Sequence, residues 1–386
     1  MDASPALADV YINGAWRTVL LSAEGNGGDT VFCLDVTDQG KQPLGVTDPI
    51  PPKFLWEFSD PGLFRSRSSP SVARIVRNGT AKWVAFFVSG NPDPTQFPSV
   101  YMIDIATGVV LERVFLNAEH DGIGGVPSGQ PTIVDSDGNG YLDRFYIGTD
   151  KGFLYKVNIS DDPASVDYAI SHCVVNRDYK EEDSKDVNGN TITGNTIASA
   201  WRYQTIYGSP VVVVDNDIVG GNLNYNVKIF YGTGPSPYAA EGIDTRYHFL
   251  AYVDTAEKGV CSDAAVYLDW YYKLPEHYRV FASAFTAAGM IYFGTSTAAT
   301  DDPCATGSNT GEIFAFDTNA PRNIVGVVDP KWQMIVGNTV TPPLVEDQHL
   351  YIKSGGLQSF GAGVYNNKVI TGGSPHIKVK MWREIF

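Results

Sequence analysis

Basic residues are scarce in this chain. Lys and Arg number 28 against 43 Asp and Glu over 386 residues, and 28 − 43 leaves a net charge of −15. A balance that negative repels phosphate backbones and excludes sequence-independent nucleic-acid binding. Long apolar runs are missing as well. Val84–Val88 and Val211–Val214 are among the longest, far below the ~20 residues that a bilayer-crossing helix needs, so no membrane span is predicted. The opening Met-Asp-Ala-Ser-Pro has neither a basic n-region nor an apolar h-region. It therefore reads as no signal peptide, leaving a cytoplasmic protein or a piece of a longer one whose targeting segment lies upstream. The six histidines, His120, His172, His248, His277, His349 and His376, are scattered without a metal-binding spacing. No Gly-x-Ser-x-Gly elbow supplies a nucleophile, and Gly25–Gly28 lacks the Gly-Lys-Ser/Thr of a phosphate loop. Cysteine is equally sparse, at four. Cys33, inside VFCLDV, reads as a buried core thiol, while Cys261 and Cys304 lie in loop-like stretches where a disulfide between them is open.

Turn formers and aromatics, by contrast, are plentiful. The 39 Gly, 23 Pro and 21 Tyr, with 12% aromatic and 43% hydrophobic residues, suit many short strands joined by turns and argue against a helical bundle. The length allows two domains or one large β domain. Aligned against itself, the chain repeats a unit. A small-Pro-apolar segment leads to an apolar-aromatic strand ending in Gly-Thr or Ser-Gly, then to an aromatic strand ending in Asp or Asn. SSPSVARI, WVAFFVSG and VYMIDIATG form one copy, and SGQPTIVD, FYIGTDKG and FLYKVNIS the next. GSPVVVVD, IFYGTG and HFLAYVDTAEKG follow, then FASAFTAAG, MIYFGTS and GEIFAFDTN, and last TPPLVEDQ, LYIKSGG and GVYNNKVITGG. Ahead of these, WRTVLLSA and VFCLDVTDQ read as the later part of another copy. Units of roughly 50–65 residues with three or four strands predict an all-β modified β-propeller of about six to seven blades, a single domain over 1–386. Two polar stretches, 170–196 and 296–312, read as loop or hairpin insertions on it.

One motif carries sharp chemistry. Asp135-Ser-Asp137-Gly-Asn139-Gly140-Tyr141-Leu-Asp143 places oxygens at positions 1, 3, 5 and 9 and glycine at position 6 of an EF-hand calcium loop. Alternate residues of a tight loop point inward, so Asp135, Asp137, Asn139, the Tyr141 carbonyl and Asp143 are the expected Ca2+ ligands. Position 12 is Tyr146 rather than Glu, and apolar strand-like segments flank the loop. A modest affinity is expected, with calcium favoured over magnesium. Asp186, Asn188 and Asn190 mimic only half such a loop. Asp215 and Asp217 read as a turn, and Glu181, Glu182 and Asp183 as a solvated face.

Gly14-x-Trp16-x-Thr18-x-Leu20, the Gly27–Gly28 pair, Leu34-Asp35-Val36-Thr37, Leu55-Trp56-Glu57-Phe58 and the Asp135–Asp143 loop followed by Tyr146 and Gly148 stand in this order. In that order they resemble the C-terminal domain of the PilC/PilY family of type IV pilus tip-associated adhesins and biogenesis proteins. The resemblance is close over the first 160 residues and looser beyond. It implies a modified β-propeller, calcium on the loop residues just named, and no enzymatic activity. It also implies a place at the pilus tip on the outer surface, with minor pilins and the pilus machinery as partners and host or abiotic surfaces as ligands. By the same analogy, calcium occupancy would set the balance of pilus extension and retraction, and with it twitching and adhesion. The family's upstream repeat is absent here, which reads as a chain that starts inside the propeller or is a trimmed fragment of a longer protein. Two alternatives stay open: a quinone-cofactor dehydrogenase propeller, and a carbohydrate-binding or scaffold propeller with a structural calcium. Against the first, no two cysteines are adjacent and the seven Trp are dispersed.

Overall fold

The computed structural model describes residues 3–38, 50–77, 79–90, 97–116, 125–160, 169–176, 204–215, 217–219, 222–224, 226–235, 246–262, 265–297, 311–320, 328–335, 344–346, 349–353 and 364–368. It forms two compact units. Unit 1 comprises Met1–Ile147, Tyr155–Cys173 and Lys258–Val260, and unit 2 the remainder.

Three antiparallel four-stranded sheets lie in or largely in unit 1. The first contains β1 (Ala6–Ile12), β2 (Ala15–Ala23), β3 (Thr30–Asp35) and β4 (Lys53–Ser59). The second contains β5 (Ser71–Arg77), β6 (Thr80–Val88), β7 (Ser99–Asp104) and β8 (Val110–Phe115). The third contains β9 (Thr132–Val134), β10 (Arg144–Gly148), β11 (Leu154–Ile159) and β12 (Ala169–Val174). In unit 2, β13 (Val211–Val214) pairs with β16 (Val227–Gly232), which pairs with β17 (His248–Asp254) and then β18 (Val266–Lys273). Between β13 and β16 stands a separate hairpin of β14 (Asp217–Val219) and β15 (Asn222–Asn224). The next sheet runs β19 (Phe285–Ala287), β20 (Met290–Gly294), β21 (Glu312–Asp317), β22 (Trp332–Ile335). The last described sheet is β23 (Leu344–Glu346), β24 (His349–Lys353) and β25 (Val364–Lys368).

This is the β-propeller architecture that the repeat predicts, with every repeat copy forming one sheet. Three expectations change. The first copy is not partial, because Ala6–Ile12 supplies its first strand and pairs with β2 from Ala6↔Leu21 to Ile12↔Ala15. The start of the 170–196 insertion is strand β12, and 177–196 lies outside the described residues. Asp217 opens β14 rather than completing a plain turn. Asp186, Asn188, Asn190 and the 181–183 acidic cluster also fall outside the described residues, as does most of 296–312.

The repeated residues have a physical role in each sheet. The residue just after the second strand is Ser89, Thr149, Thr233 or Thr295. Its N–H donates to the carbonyl of Ser99, Phe153, His248 or Glu312, at 2.8, 3.0, 2.8 and 2.8 Å. Its hydroxyl accepts the N–H of that same residue, at 2.9, 3.2, 2.8 and 3.3 Å. One hydroxyl thus closes the ladder where the chain leaves it, satisfying a backbone donor that would otherwise be buried bare. The third strands end in Asp35, Asp104, Asp254 and Asp317. Each carboxylate accepts the N–H two residues on (Thr37, Ala106, Ala256, Asn319) at 2.8–2.9 Å, an Asx turn that ends the strand.

Several interior strands are buried on both faces. All residues of β7, β10, β11, β17 and β20 are buried, and apolar and aromatic residues dominate them. The unit 1 core includes Val10, Leu21, Val31, Cys33, Trp56, Phe87 and Tyr101. Trp56 lies against Gly108, where a Cβ would come within 2.7 Å of the indole, and its Nε1 donates to the Ile105 carbonyl at 2.8 Å. Burial, and then the charge of Asp35, push the Cys33 thiol up to about 12. It is the free, inert core cysteine expected from VFCLDV. Cys173 and Cys261 are each disulfide-bonded, and Cys304 lies outside the described residues. In unit 2 the core is aromatic: Phe249 stacks on Phe293 at 3.8 Å, and Trp270 on Phe316 at 5.4 Å.

The Thr233 clamp extends into a buried network. Its hydroxyl donates to Gln204 Oε1 at 2.8 Å, and that oxygen also lies 3.1 Å from His248 Nδ1. Gln204 Nε2 donates to the Arg246 carbonyl at 2.7 Å, which settles the amide orientation and puts a proton on Nδ1. Thr233→Val is expected to cost about 1–3 kcal/mol, because the His248 N–H stays buried without its acceptor; urea denaturation measures this. Burial, and then the Lys273 charge, hold His248 down at about 4. The unfolded imidazole takes a proton near ~6.5 and the folded one only near 4, so stability is full above that window and falls as pH drops through it. His248→Gln is expected to flatten the stability–pH curve between these values.

Candidate metal centre

In two of the other sheets the connection from first to second strand is minimal. Asn13 and Gly14 join β1 to β2 with φ of 52° and 78°, and Ala288 and Gly289 join β19 to β20 with φ of 50° and 78°. These two-residue turns with both φ positive match strand twist. In the β9–β10 hairpin the same connection is the nine-residue Asp135–Asp143 loop. Val134 pairs with Arg144 at its base, so the ladder closes immediately behind the first and last carboxylates. Asp143 is locked further by its N–H to the Val134 carbonyl at 3.0 Å and by its own carbonyl, which accepts the Ile159 N–H at 2.8 Å.

Within the loop, the side chains wind the backbone. Asp135 Oδ1 accepts the N–H groups of Gly138 and Asn139 at 2.7 and 3.1 Å, and its Oδ2 accepts that of Gly140 at 2.8 Å. Asp137 Oδ1 accepts the Asn139 N–H at 3.1 Å, and Asn139 Oδ1 accepts the Tyr141 N–H at 2.8 Å. Gly138 and Gly140 have φ of 73° and 88°. A Cβ on Gly140 would meet nothing within 4 Å, so conformation alone demands glycine there. The Tyr141 ring lies under the Arg74 guanidinium at 4.7 Å, and Leu142 N–H donates to the Arg74 carbonyl at 2.8 Å. These contacts fasten the loop to β5.

Asp135, Asp137 and Asp143 converge, each offering an oxygen within 4.8 Å of the others. Asn139 is joined to them by its Nδ2, 3.2 Å from Asp137 Oδ2. Tyr141 belongs to the same turn, whereas Tyr146 at position 12 is fully buried in β10 and offers no carboxylate. The donor set is all oxygen, which suits a hard cation. Two residues of this centre escape sequence reasoning. Ser136 donates both its N–H and its hydroxyl to Asp143 Oδ2, each at 2.6 Å, so that Oδ1 faces the loop. Lys258 places its Nζ 2.7 Å from Asp137 Oδ2 and 2.7 Å from Asp143 Oδ1. Ser136 had a faint local signal as a hydroxyl inside the motif, but Lys258 had none.

The electrostatics follow from this packing. Burial pushes the Asp135 carboxyl up, and Asp137 and Asp143 add in the same sense against the Gly140 and Gly138 N–H groups. Burial would also raise Asp137, but the Lys258 ammonium outweighs it and holds that carboxyl below the usual range. For Lys258 burial acts downward, and the two carboxylates more than reverse it.

Against this geometry stand the known proteins. The family model described as the PilY1 beta-propeller domain matches residues 1–213, more than half of the chain. The chain belongs to the PilY1 β-propeller family. The type IV pilus biogenesis factor PilY1 of Pseudomonas aeruginosa strain PAO1 is 33% identical over 176 residues, covering 43% of this chain and 14% of that protein. A PilY1 homolog of Xylella fastidiosa is 28% identical over 170 residues, covering 42% of this chain and 11% of its own length. The chain thus spans a small part of these PilY1 relatives. The crystal structure of the Pseudomonas aeruginosa PilY1 C-terminal domain superposes with a TM-score of 0.60 at 18% identity, over 95% of this chain and 84% of that one. The residues on which the resemblance rests acquire roles in this frame. Gly14 makes the β1–β2 turn, Trp56 caps the unit 1 core, and Asp35 with Thr37 forms an Asx turn whose threonine hydroxyl also accepts the Thr18 N–H at 3.0 Å.

Two outcomes are expected. Ser136→Ala removes a hydrogen bond to a buried carboxylate and should destabilise the fold by about 1.5–3 kcal/mol, read by denaturation. In the metal-stripped protein Asp135 should protonate above ~3.9 and Asp137 below it, followed through their 13C carboxyl shifts. The sign differs between them. Asp137 contributes stability at neutral pH that is lost as pH falls through its lowered value, whereas Asp135 opposes folding until protonation relieves it. Protonation in the reverse order would contradict the placement of Lys258 on Asp137.

Proposed function

We propose that this propeller is a calcium-binding domain of a type IV pilus biogenesis and tip-adhesin protein, in which ion occupancy of the Asp135–Asp143 loop regulates pilus extension, retraction and attachment. The observation that carries the calcium reading is the convergence of three carboxylates within 4.8 Å on a loop held closed at both ends. Family membership carries the pilus reading. The residues that would hold the ion are Asp135, Asp137, Asn139, Asp143 and the Tyr141 carbonyl. A bound Ca2+ supplies positive charge to a carboxylate cluster, a structural and electrostatic service rather than a chemical step.

The chain's own residues prepare that service. Asp135 winds the turn through three N–H bonds, Ser136 turns the Asp143 carboxylate, and Arg74 clamps Tyr141 over β5. A change in loop charge and rigidity would then bias contacts with minor pilins or other pilus machinery, and through them adhesion to host or abiotic surfaces. Such a role belongs on the outer cell surface, at the pilus tip.

Calorimetric titration of metal-stripped protein is expected to show one calcium site in the range of roughly 10⁻⁶ to 10⁻³ M, lost in Asp135→Ala. Cells carrying Asp135→Ala should show altered piliation and twitching. Binding lost with piliation and twitching unchanged would reduce the ion to a structural role, and a wild-type protein that binds no calcium would overturn the reading.

A further inference from the structure

Lys258 stands between β17 and β18 in the chain, in the short segment Lys258–Val260 that belongs to unit 1. Gly259 beside it has a φ of 75°, which lets the backbone turn at that point. The base of this connection is tied by Thr255, whose N–H donates to the Ala265 carbonyl at 2.8 Å. Cys261, three residues past Lys258, is disulfide-bonded. The connection is therefore anchored on both sides, while Lys258 reaches the loop on a flexible four-carbon stem.

Its ammonium takes the two loop oxygens that the backbone leaves over. Asp135 spends both oxygens on three N–H groups, and Asp143 spends Oδ2 on Ser136. Asp137 Oδ2 and Asp143 Oδ1 are the atoms that Lys258 holds, each at 2.7 Å. A calcium ion coordinates 6–8 oxygens at about 2.3–2.6 Å and would need these same two atoms. A cation at the loop centre would stand close to an ammonium that holds both of these oxygens, and the repulsion between the two positive charges opposes their sharing the loop.

We infer that Lys258 is a tethered competitor for the cation: a divalent ion enters the Asp135–Asp143 loop by displacing the ammonium, and the Lys258–Val260 segment is released from the loop when it does. This rests on the calcium reading above and gives that reading an output, since occupancy becomes a change in a segment remote in sequence. It also gives selectivity. Exchanging one positive charge for two gains attraction to three carboxylates, whereas a monovalent ion gains none.

The test is calcium calorimetry on the full 386-residue chain as wild type, Lys258→Met and Lys258→Arg, with amide hydrogen exchange across residues 257–262 with and without calcium. Lys258→Met is expected to bind calcium about tenfold more tightly or better, since a charge-assisted hydrogen-bonded pair no longer has to be broken. Lys258→Arg is expected to stay near wild type. Calcium should speed exchange in the segment of the wild type, and the segment in Lys258→Met should exchange fast throughout. Clear binding to the wild type with equal or weaker affinity in Lys258→Met would overturn the competition and leave the calcium site standing. No binding to any of the three would overturn both. Should Lys258→Met fail to fold, exchange in the wild-type segment decides, and protection unchanged by calcium overturns the inference.

Discussion

Pairing of Val134 with Arg144 brings the two ends of a nine-residue loop together, and with them two carboxylates that repel one another. Everything about the candidate centre follows from that closure. The ladder cannot be relaxed without unpairing a sheet whose β10 and β11 are buried throughout, so the charges must be compensated where they stand. Backbone N–H groups neutralise part of Asp135, Ser136 takes one oxygen of Asp143, and Lys258 takes what remains. The loop is held at the tension between sheet pairing, which draws the carboxylates in, and their repulsion, which the N–H groups, the Ser136 hydroxyl and the Lys258 ammonium answer together.

The same economy of polar groups runs through the sheets. Interior strands such as β7, β10, β11, β17 and β20 are buried on both faces, so an exit from their ladders risks a bare backbone group. A hydroxyl after the second strand and an aspartate at the end of the third deal with the two exits, repeatedly and with nearly the same distances. Against this regular background the β9–β10 connection stands out. Where β1–β2 and β19–β20 turn in two residues, this hairpin spends nine and loads them with oxygens.

Much of this was legible in one dimension. Gly-Thr and strand-final Asp recur because their bonds are local, spanning a hairpin or two residues, and so leave a periodic trace. The convergence of Asp135, Asp137 and Asp143 on one turn was readable for the same reason, since a turn is a short-range object. The first copy reads as partial only if Ser4-Pro5 ahead of ALADVYI is passed over; that pair is the small-Pro opening of its siblings, and the strand after it pairs with β2. The disulfide-bonded state of Cys173, by contrast, had no local sign, since a cysteine's partner is a matter of distance in space.

Lys258 marks the boundary most clearly. Nothing in TAEKG separates this lysine from any other solvated cation, and only the folded chain sets its ammonium between Asp137 and Asp143. By itself the sequence determined the all-β repeat, its turns and a carboxylate-rich loop of EF-hand spacing, because those depend on neighbours a few residues apart. Tertiary structure alone decided which charge answers those carboxylates. Coulomb interaction depends on distance through space, and the chain reaches that point from far along its length.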